Sequence, residues 1–138
     1  MNVKEQLERD EGGMRLRAYK DSQGIWTIGV GHNLESRPIP REAAELIFEA
    51  DLADTILEVD RVLPWAAALD APRRAVLINM AFNIGVAGLL EHNPKMLAAA
   101  KRGDYAEAAR ELLDGPYKDQ VGPRAHRLAQ QMESGNWV

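Results

Sequence analysis

Glu11, Asp21 and Thr27 lie close together in the chain and have side chains suited to acid–base work. Glu11 is expected in the last turn of an N-terminal helix, where the negative end of the helix dipole disfavours an ionised carboxyl. Asp21 falls in Tyr19-Lys20-Asp21-Ser22-Gln23-Gly24, a polar turn where a carboxylate stays ionised. Two carboxylates in unlike surroundings can divide the roles of acid and base. From spacing alone, the plainer reading is two surface acids. Thr27 sits in Ile25-Trp26-Thr27-Ile28-Gly29-Val30, β-branched and aromatic as strands prefer. Strand alternation puts Ile25, Thr27, Gly29 and Gly31 on one face and Trp26, Ile28 and Val30 on the other. One hydroxyl and two glycines form a face that a ligand, or another part of the fold, can approach closely. His32 follows on the Trp26 face. It is either a base or, with no Ser or Cys nucleophile beside it, a structural histidine.

The elements that must position these residues follow from local signals. Asn2 with Glu5 opens a helix over residues 3–11, and Gly12-Gly13 stops it. Strand signals run from Leu16 to His32. After a loop holding Pro38 and Pro40, a helix fits residue 41 to about 60, with Leu46, Ile47, Ala50, Ala53 and Leu57 as its apolar stripe. Asp70 precedes a helix ending at Gly85. Asn93-Pro94 opens one ending at Gly103, and Asp104 with Glu107 one ending near Gly115. The last runs from Pro123 to Ser134 before Gly135. The acids crowding the long helix, Asp51 among them, read as its solvated face. Arg124 and Arg127 read as exposed arginines or an anion site. Phe82 reads as core more readily than as a binding residue. His92 and His126 show no metal-ligand spacing, and no metal or cofactor is expected.

The 138 residues suit one domain with an ordinary globular composition, 46% hydrophobic and 28% charged. The net charge of −4 disfavours a nucleic-acid partner. Residues 1–60 carry 13 acids and 7 bases, residues 61–138 carry 8 acids and 10 bases, and no boundary is sharp between them. The absence of cysteine excludes disulfides, thiolate zinc sites and a cysteine nucleophile. The N-terminus lacks the apolar stretch of a signal peptide, and no apolar run is expected to reach the length of a membrane span.

Taken together these motifs resemble the phage-type lysozyme family, over nearly the whole chain. The resemblance is carried by Asp10-Glu11-Gly12, Tyr19-Lys20-Asp21, Trp26-Thr27-Ile28-Gly29-Val30-Gly31-His32, residues 75–83 with Gly85, Arg124, Arg127 and Gly135-Asn136-Trp137. It implies an α+β, helix-dominated lysozyme-like fold in a single domain over 1–138. A small β-hairpin lobe at about 13–40 would be joined by the helix at about 41–60 to a helical lobe made of 1–12 and 61–138. It implies that Glu11 is the general acid, that Asp21 and Thr27 hold the attacking water, and that the reaction inverts the anomeric centre. Gly31, Leu34, Phe82 and Asn83 would line the sugar cleft. His32 would pair with Asp51, Glu11 with Arg124, and Asp10 would approach Arg127. The implied substrate is bacterial peptidoglycan, cut between N-acetylmuramic acid and N-acetylglucosamine for host lysis. The implied protein is a monomer that stays in the host cytoplasm, does not insert into membranes, and reaches the wall through a holin-type pore.

This chain departs from the family in a short loop after His32, a second glycine after Glu11 and an acidic net charge, so long-range attraction to an anionic wall is not expected. Glu35 in that loop is assigned no catalytic role. Two other functions compete. A lytic transglycosylase on a related fold needs the acid but not a water-holding Asp and Thr. A non-catalytic wall-binding module needs none of the three.

Overall fold

The computed structural model describes all 138 residues as an α+β fold dominated by helices. Helix α1, Val3–Asp10, begins with a complete capping box: Asn2 Oδ1 accepts from the Glu5 amide at 3.0 Å, and Glu5 Oε2 accepts from the Asn2 amide at 3.1 Å. It ends at Glu11. The Gly12 and Gly13 amides return to the Arg9 and Glu8 carbonyls, which requires positive φ at both glycines. Three strands follow, β1 (Arg15–Lys20), β2 (Trp26–Gly29) and β3 (His32–Asn33), in an antiparallel sheet of order β1-β2-β3. Tyr19 pairs with Thr27 and Lys20 with Trp26, and on the other side Thr27 pairs with Asn33. Thr27 is buried at 4% exposure while Trp26 remains 46% exposed. The inward face of β2 is therefore the threonine face.

Helix α2 spans Arg41–Val62 and leads into a 3-10 turn, Pro64–Ala68. Then come α3 (Ala71–His92, broken at Gly85), α4 (Pro94–Lys101), α5 (Tyr105–Asp114), α6 (Tyr117–Val121) and α7 (Pro123–Ser134). The expected starts at Asp70, Asn93, Asp104 and Pro123 all appear. The 3-10 turn and α6 were not expected, since five residues are too few to show a helical period. The stripe expected on α2 is corrected. Leu46, Ile47 and Leu57 are exposed, and Val59 with the half-buried Leu52 and Ile56 forms the inward side. Apolar residues surround this helix almost evenly, so its sequence holds two competing stripes. The expectation about apolar run length is also corrected. By length and composition α3 is long and apolar enough to cross a membrane, but Val76, Leu77, Met80 and Leu89 are buried in this fold's own core.

Contacts divide the chain into two units, Met1–Ile47 and Phe48–Val138. Residues 1–12 thus fall with the hairpin, whereas the sequence reading grouped them with the later helices. The chain passes from Glu11 straight into the sheet, and the Glu11 side chain packs against Gly31. Every buried hydrophobic side chain belongs to the second unit. Val59, Leu77, Met80, Leu89, Met96, Leu112, Tyr117 and Met132 are its largest members. Burying each such side chain stabilises by about 1.5–3 kcal/mol.

Arg73 ties this core together at the surface. Its Nε donates to the Met132 carbonyl and its Nη2 to the Glu133 carbonyl, both at 2.7 Å. Its Nη1 pairs with Asp70 at 3.0 Å, and its guanidinium lies 3.7 Å from the centre of the Tyr105 ring. Asp70 also caps α3 by accepting from the Arg73 amide. Burial raises the Asp70 carboxyl, but the hydrogen bonds and charge of Arg73 outweigh it and hold the group below the usual aspartate value. Asp70→Asn keeps the cap and removes the charge. It should cost about 0.5–1 kcal/mol at neutral pH. The contribution of a carboxyl with a depressed folded pKa is present above its unfolded pKa and lost as pH falls through the folded one. The gap between wild type and variant in urea unfolding should therefore hold down to about pH 4 and close only as the pH falls further, and a gap that does not shrink below that pH would count against a charged Asp70.

Candidate active site

Glu11, Asp21 and Thr27 all lie in the first unit. Glu11 occupies the C-cap of α1 with its amide bonded to the Leu7 carbonyl at 2.9 Å. The two glycines behind it turn the chain, so the carboxyl is presented at the helix end and not along its flank. It rests against the turn between β2 and β3. A Cβ at Gly31, where φ is +62°, would stand 2.6 Å from Glu11 Oε2 and 2.8 Å from its carboxyl carbon. Gly31 must therefore be glycine both for its backbone and for the space the acid occupies.

Asp21 is fixed by its own turn. Its Oδ1 accepts from the Gln23 amide at 2.8 Å and the Ile25 amide at 2.9 Å, while its backbone amide donates to the Ile25 carbonyl at 2.9 Å. Oδ2 has no protein donor and is free to accept from water or substrate. Thr27, at the centre of the sheet, donates from Oγ1 to the Ile25 carbonyl at 2.9 Å. With its proton so used, the hydroxyl oxygen presents lone pairs, and Ile25 links both groups to one short stretch of backbone. The unit thus holds one carboxyl on a helix end, a second in a hydrogen-bonded turn and a buried hydroxyl between strands. Such a set can give a proton and separately orient a water.

Of the residues expected to support the site, His32, Asp10 and Arg124 have side-chain partners within their own units. His32 Nε2 lies 3.0 Å from the Arg37 carbonyl. Asp10 pairs with Arg9 at 2.8 Å. Asn33 Oδ1 accepts from the Glu35 and Ser36 amides, shaping the loop that carries the exposed Leu34. Asp51 is exposed on α2, where its carbonyl accepts from Thr55. In the second unit Arg124 donates to Asn79 Oδ1 through Nε at 2.9 Å and Nη2 at 2.6 Å. Arg127 is exposed on α7, and Asn83 is exposed beside Phe82.

The sequence reading missed Phe48, whose ring packs 5.8 Å from that of Phe82. Together with Leu52, Ile56, Ile78 and Arg124 these rings border an apolar groove of about 400 Å³ within the second unit. Its sequence signal was the i, i+4, i+8 series Phe48, Leu52 and Ile56.

The phage lysozyme family model matches residues 9–128. The pre-baseplate central spike protein Gp5 of Enterobacteria phage T4 is 32% identical over 99% of this chain. The chain spans only 28% of that spike protein's length. Probable T4-type lysozyme 1 of Dictyostelium discoideum is 29% identical, covering 97% of this chain and 95% of the relative. An endolysin of Acyrthosiphon pisum secondary endosymbiont phage 1 is 30% identical over 73% of this chain and 68% of its own length.

Gly31→Ala should lower stability by about 1–2 kcal/mol, the cost of a side chain in the left-handed region, and should also displace the Glu11 carboxyl. Gly13→Ala is the control, because its φ is +87° but nothing lies within 4 Å of the added Cβ. Both variants should lose stability in thermal unfolding, but only Gly31→Ala should move the carboxyl carbon resonance of Glu11. Equal resonance shifts in the two variants would refute the close approach.

Proposed function

Since the chain belongs to the phage lysozyme family, we propose that it is a muramidase. It hydrolyses the β-1,4 bond between N-acetylmuramic acid and N-acetylglucosamine in peptidoglycan. The observation that carries this reading is the unlike setting of the two carboxyls in the first unit: Glu11 seated on Gly31, and Asp21 held by the Gln23 and Ile25 amides, with the Thr27 hydroxyl bonded to the Ile25 carbonyl.

Glu11 gives its proton to the glycosidic oxygen as the bond from the anomeric carbon to that oxygen breaks. Asp21 Oδ2 and Thr27 Oγ1 accept hydrogen bonds from a water on the opposite sugar face. The water oxygen bonds to the anomeric carbon, and its proton passes to Asp21. Attack from the face opposite the leaving group inverts the centre, a geometry that calls for carboxyls roughly 6.5–9.5 Å apart. The proposed sugar-binding residues are Gly31 and Leu34 in the first unit and Phe82 and Asn83 in the second. His32, Asp51, Asp10, Arg124 and Arg127 are the proposed supports. The proposed protein is a monomeric endolysin that waits in the host cytoplasm and meets the wall after a holin-type pore opens the membrane.

A second reading rests on the 99% coverage of this chain by its match to a spike protein. The same hydrolysis would then serve a phage tail assembly, opening the wall locally. The chemistry proposed for Glu11, Asp21 and Thr27 is the same in both. A lytic transglycosylase is less well supported, since that reaction leaves the Asp21 and Thr27 oxygens without a water to hold.

Glu11→Gln should fold normally and lose at least about 10²-fold in the rate of peptidoglycan hydrolysis, because an amide has no acidic proton to give. Mass analysis of the wild-type digest should show muropeptides with a free reducing end. Anhydro products one water lighter would point to the transglycosylase, and a Glu11→Gln rate within a few-fold of wild type would remove Glu11 from the mechanism.

A further inference from the structure

The outer edge of the sheet carries a patch that the proposed hydrolysis does not use. Residues 14–20, Met-Arg-Leu-Arg-Ala-Tyr-Lys, hold three cations and no acid in a chain of net charge −4. Arg9, Arg41, Arg61 and Arg73 each form ion pairs with carboxylates, but Arg15, Arg17 and Lys20 form none. Two of these cations lie over aromatic rings: the Arg15 guanidinium is 4.2 Å from the centre of Tyr19, and the Lys20 ammonium 5.2 Å from Trp26. Large apolar side chains stand among them in the open. Leu16 is 84% exposed and Met14 62%, beside the half-exposed Trp26. Because β1 is an edge strand, both its faces and its outer backbone edge remain accessible.

Charge alone is enough to protect a sheet edge from pairing with another strand. That purpose does not account for an exposed leucine between the arginines and an exposed methionine before them, or for a tryptophan beside the lysine. Cations that meet phosphate, apolar side chains that enter the acyl boundary, and Tyr and Trp at headgroup level are what an anionic bilayer surface rewards. A polyanionic glycan offers nothing to Leu16. We propose that the β1 edge, with Trp26, is a peripheral docking surface for anionic phospholipid membranes. Docking would hold the protein at the bilayer without any segment crossing it. The site faces lipid and needs no peptidoglycan, so it stands or falls separately from the muramidase reading.

The test is co-sedimentation of the full chain with vesicles of phosphatidylglycerol and phosphatidylcholine, or of phosphatidylcholine alone. Wild type should bind the anionic vesicles at least about tenfold more tightly, given three cations near a charged surface. The preference should shrink as salt rises from about 20 mM to about 0.15 M. Neutralising the edge with R15Q/R17Q/K20Q should abolish the preference, as should the single reversal Arg17→Glu if the triple variant fails to fold by circular dichroism. Neutralising K95Q/K101Q/R102Q in the second unit should leave binding within about twofold of wild type. Leu16→Ser should weaken binding at the higher salt, where apolar contact carries more of it. The proposal is overturned if wild type shows no preference for anionic vesicles. It is also overturned if the folded edge variants bind as wild type does, if the second-unit variant loses binding equally, or if Leu16→Ser changes nothing.

Discussion

The second unit closes on one guanidinium. The last carbonyls of α7 have no partner within their own helix, and Arg73 at the start of α3 supplies donors to two of them. The same group carries positive charge to the negative end of α7, neutralises Asp70 and lies over the ring of Tyr105 of α5. Lysine has neither the planar fork nor the number of donors for this. The chain past α7 bends closely around it, for a Cβ at Gly135 would stand 2.7 Å from Arg73 Nη1. Gln131 adds a second closure, donating to the Pro72 carbonyl at 2.8 Å. Three helices distant in sequence thus meet where polar groups would otherwise be left unpaired, and the apolar core fills in behind them.

The first unit is organised on another basis. It buries no large apolar side chain, and Thr27 is its one buried residue. Its shape comes from hydrogen bonds of short range: the capping box of α1, the glycine return after Glu11, the Asp21 turn, and Asn33 folded over the amides of Glu35 and Ser36. Such a frame sets side-chain direction closely while leaving its surface open, which suits groups that must meet substrate. The close packing of Glu11 on Gly31 joins the helix end to the sheet and places the acid by backbone contact.

Local signals were legible wherever the physics is local. The Asn2–Glu5 box, the Gly12-Gly13 stop, the Asp21 turn and the helix starts at Asp70, Asn93, Asp104 and Pro123 each depend on residues a few positions apart. They stand in the structure where the chain chemistry puts them. Long-range choices were harder to read. On α2 the stripe through Leu46 and Leu57 is as apolar as the inward one through Leu52, Ile56 and Val59, so only the packing partners separate them. The short helix α6 depends on burying Tyr117 in the core, where burial also pushes its phenol above the usual value. That support comes from elsewhere in the chain.

The sequence by itself determined most of the helix starts and the family, because caps, turns and the spacing of Glu11, Asp21, Thr27, Gly31 and His32 are written in neighbouring residues. It also named the candidate acid and its water-holding partners through that resemblance. Only the tertiary structure decided that Thr27, and not Trp26, faces inward, that Arg124 is held by Asn79, and that Glu11 lies on the backbone of Gly31. Only the fold showed that β1 leaves its cations unpaired and its leucine in solvent. Burial, pairing across long stretches of chain and steric contact are properties of the space between residues, and the linear order does not specify that space until the elements have packed.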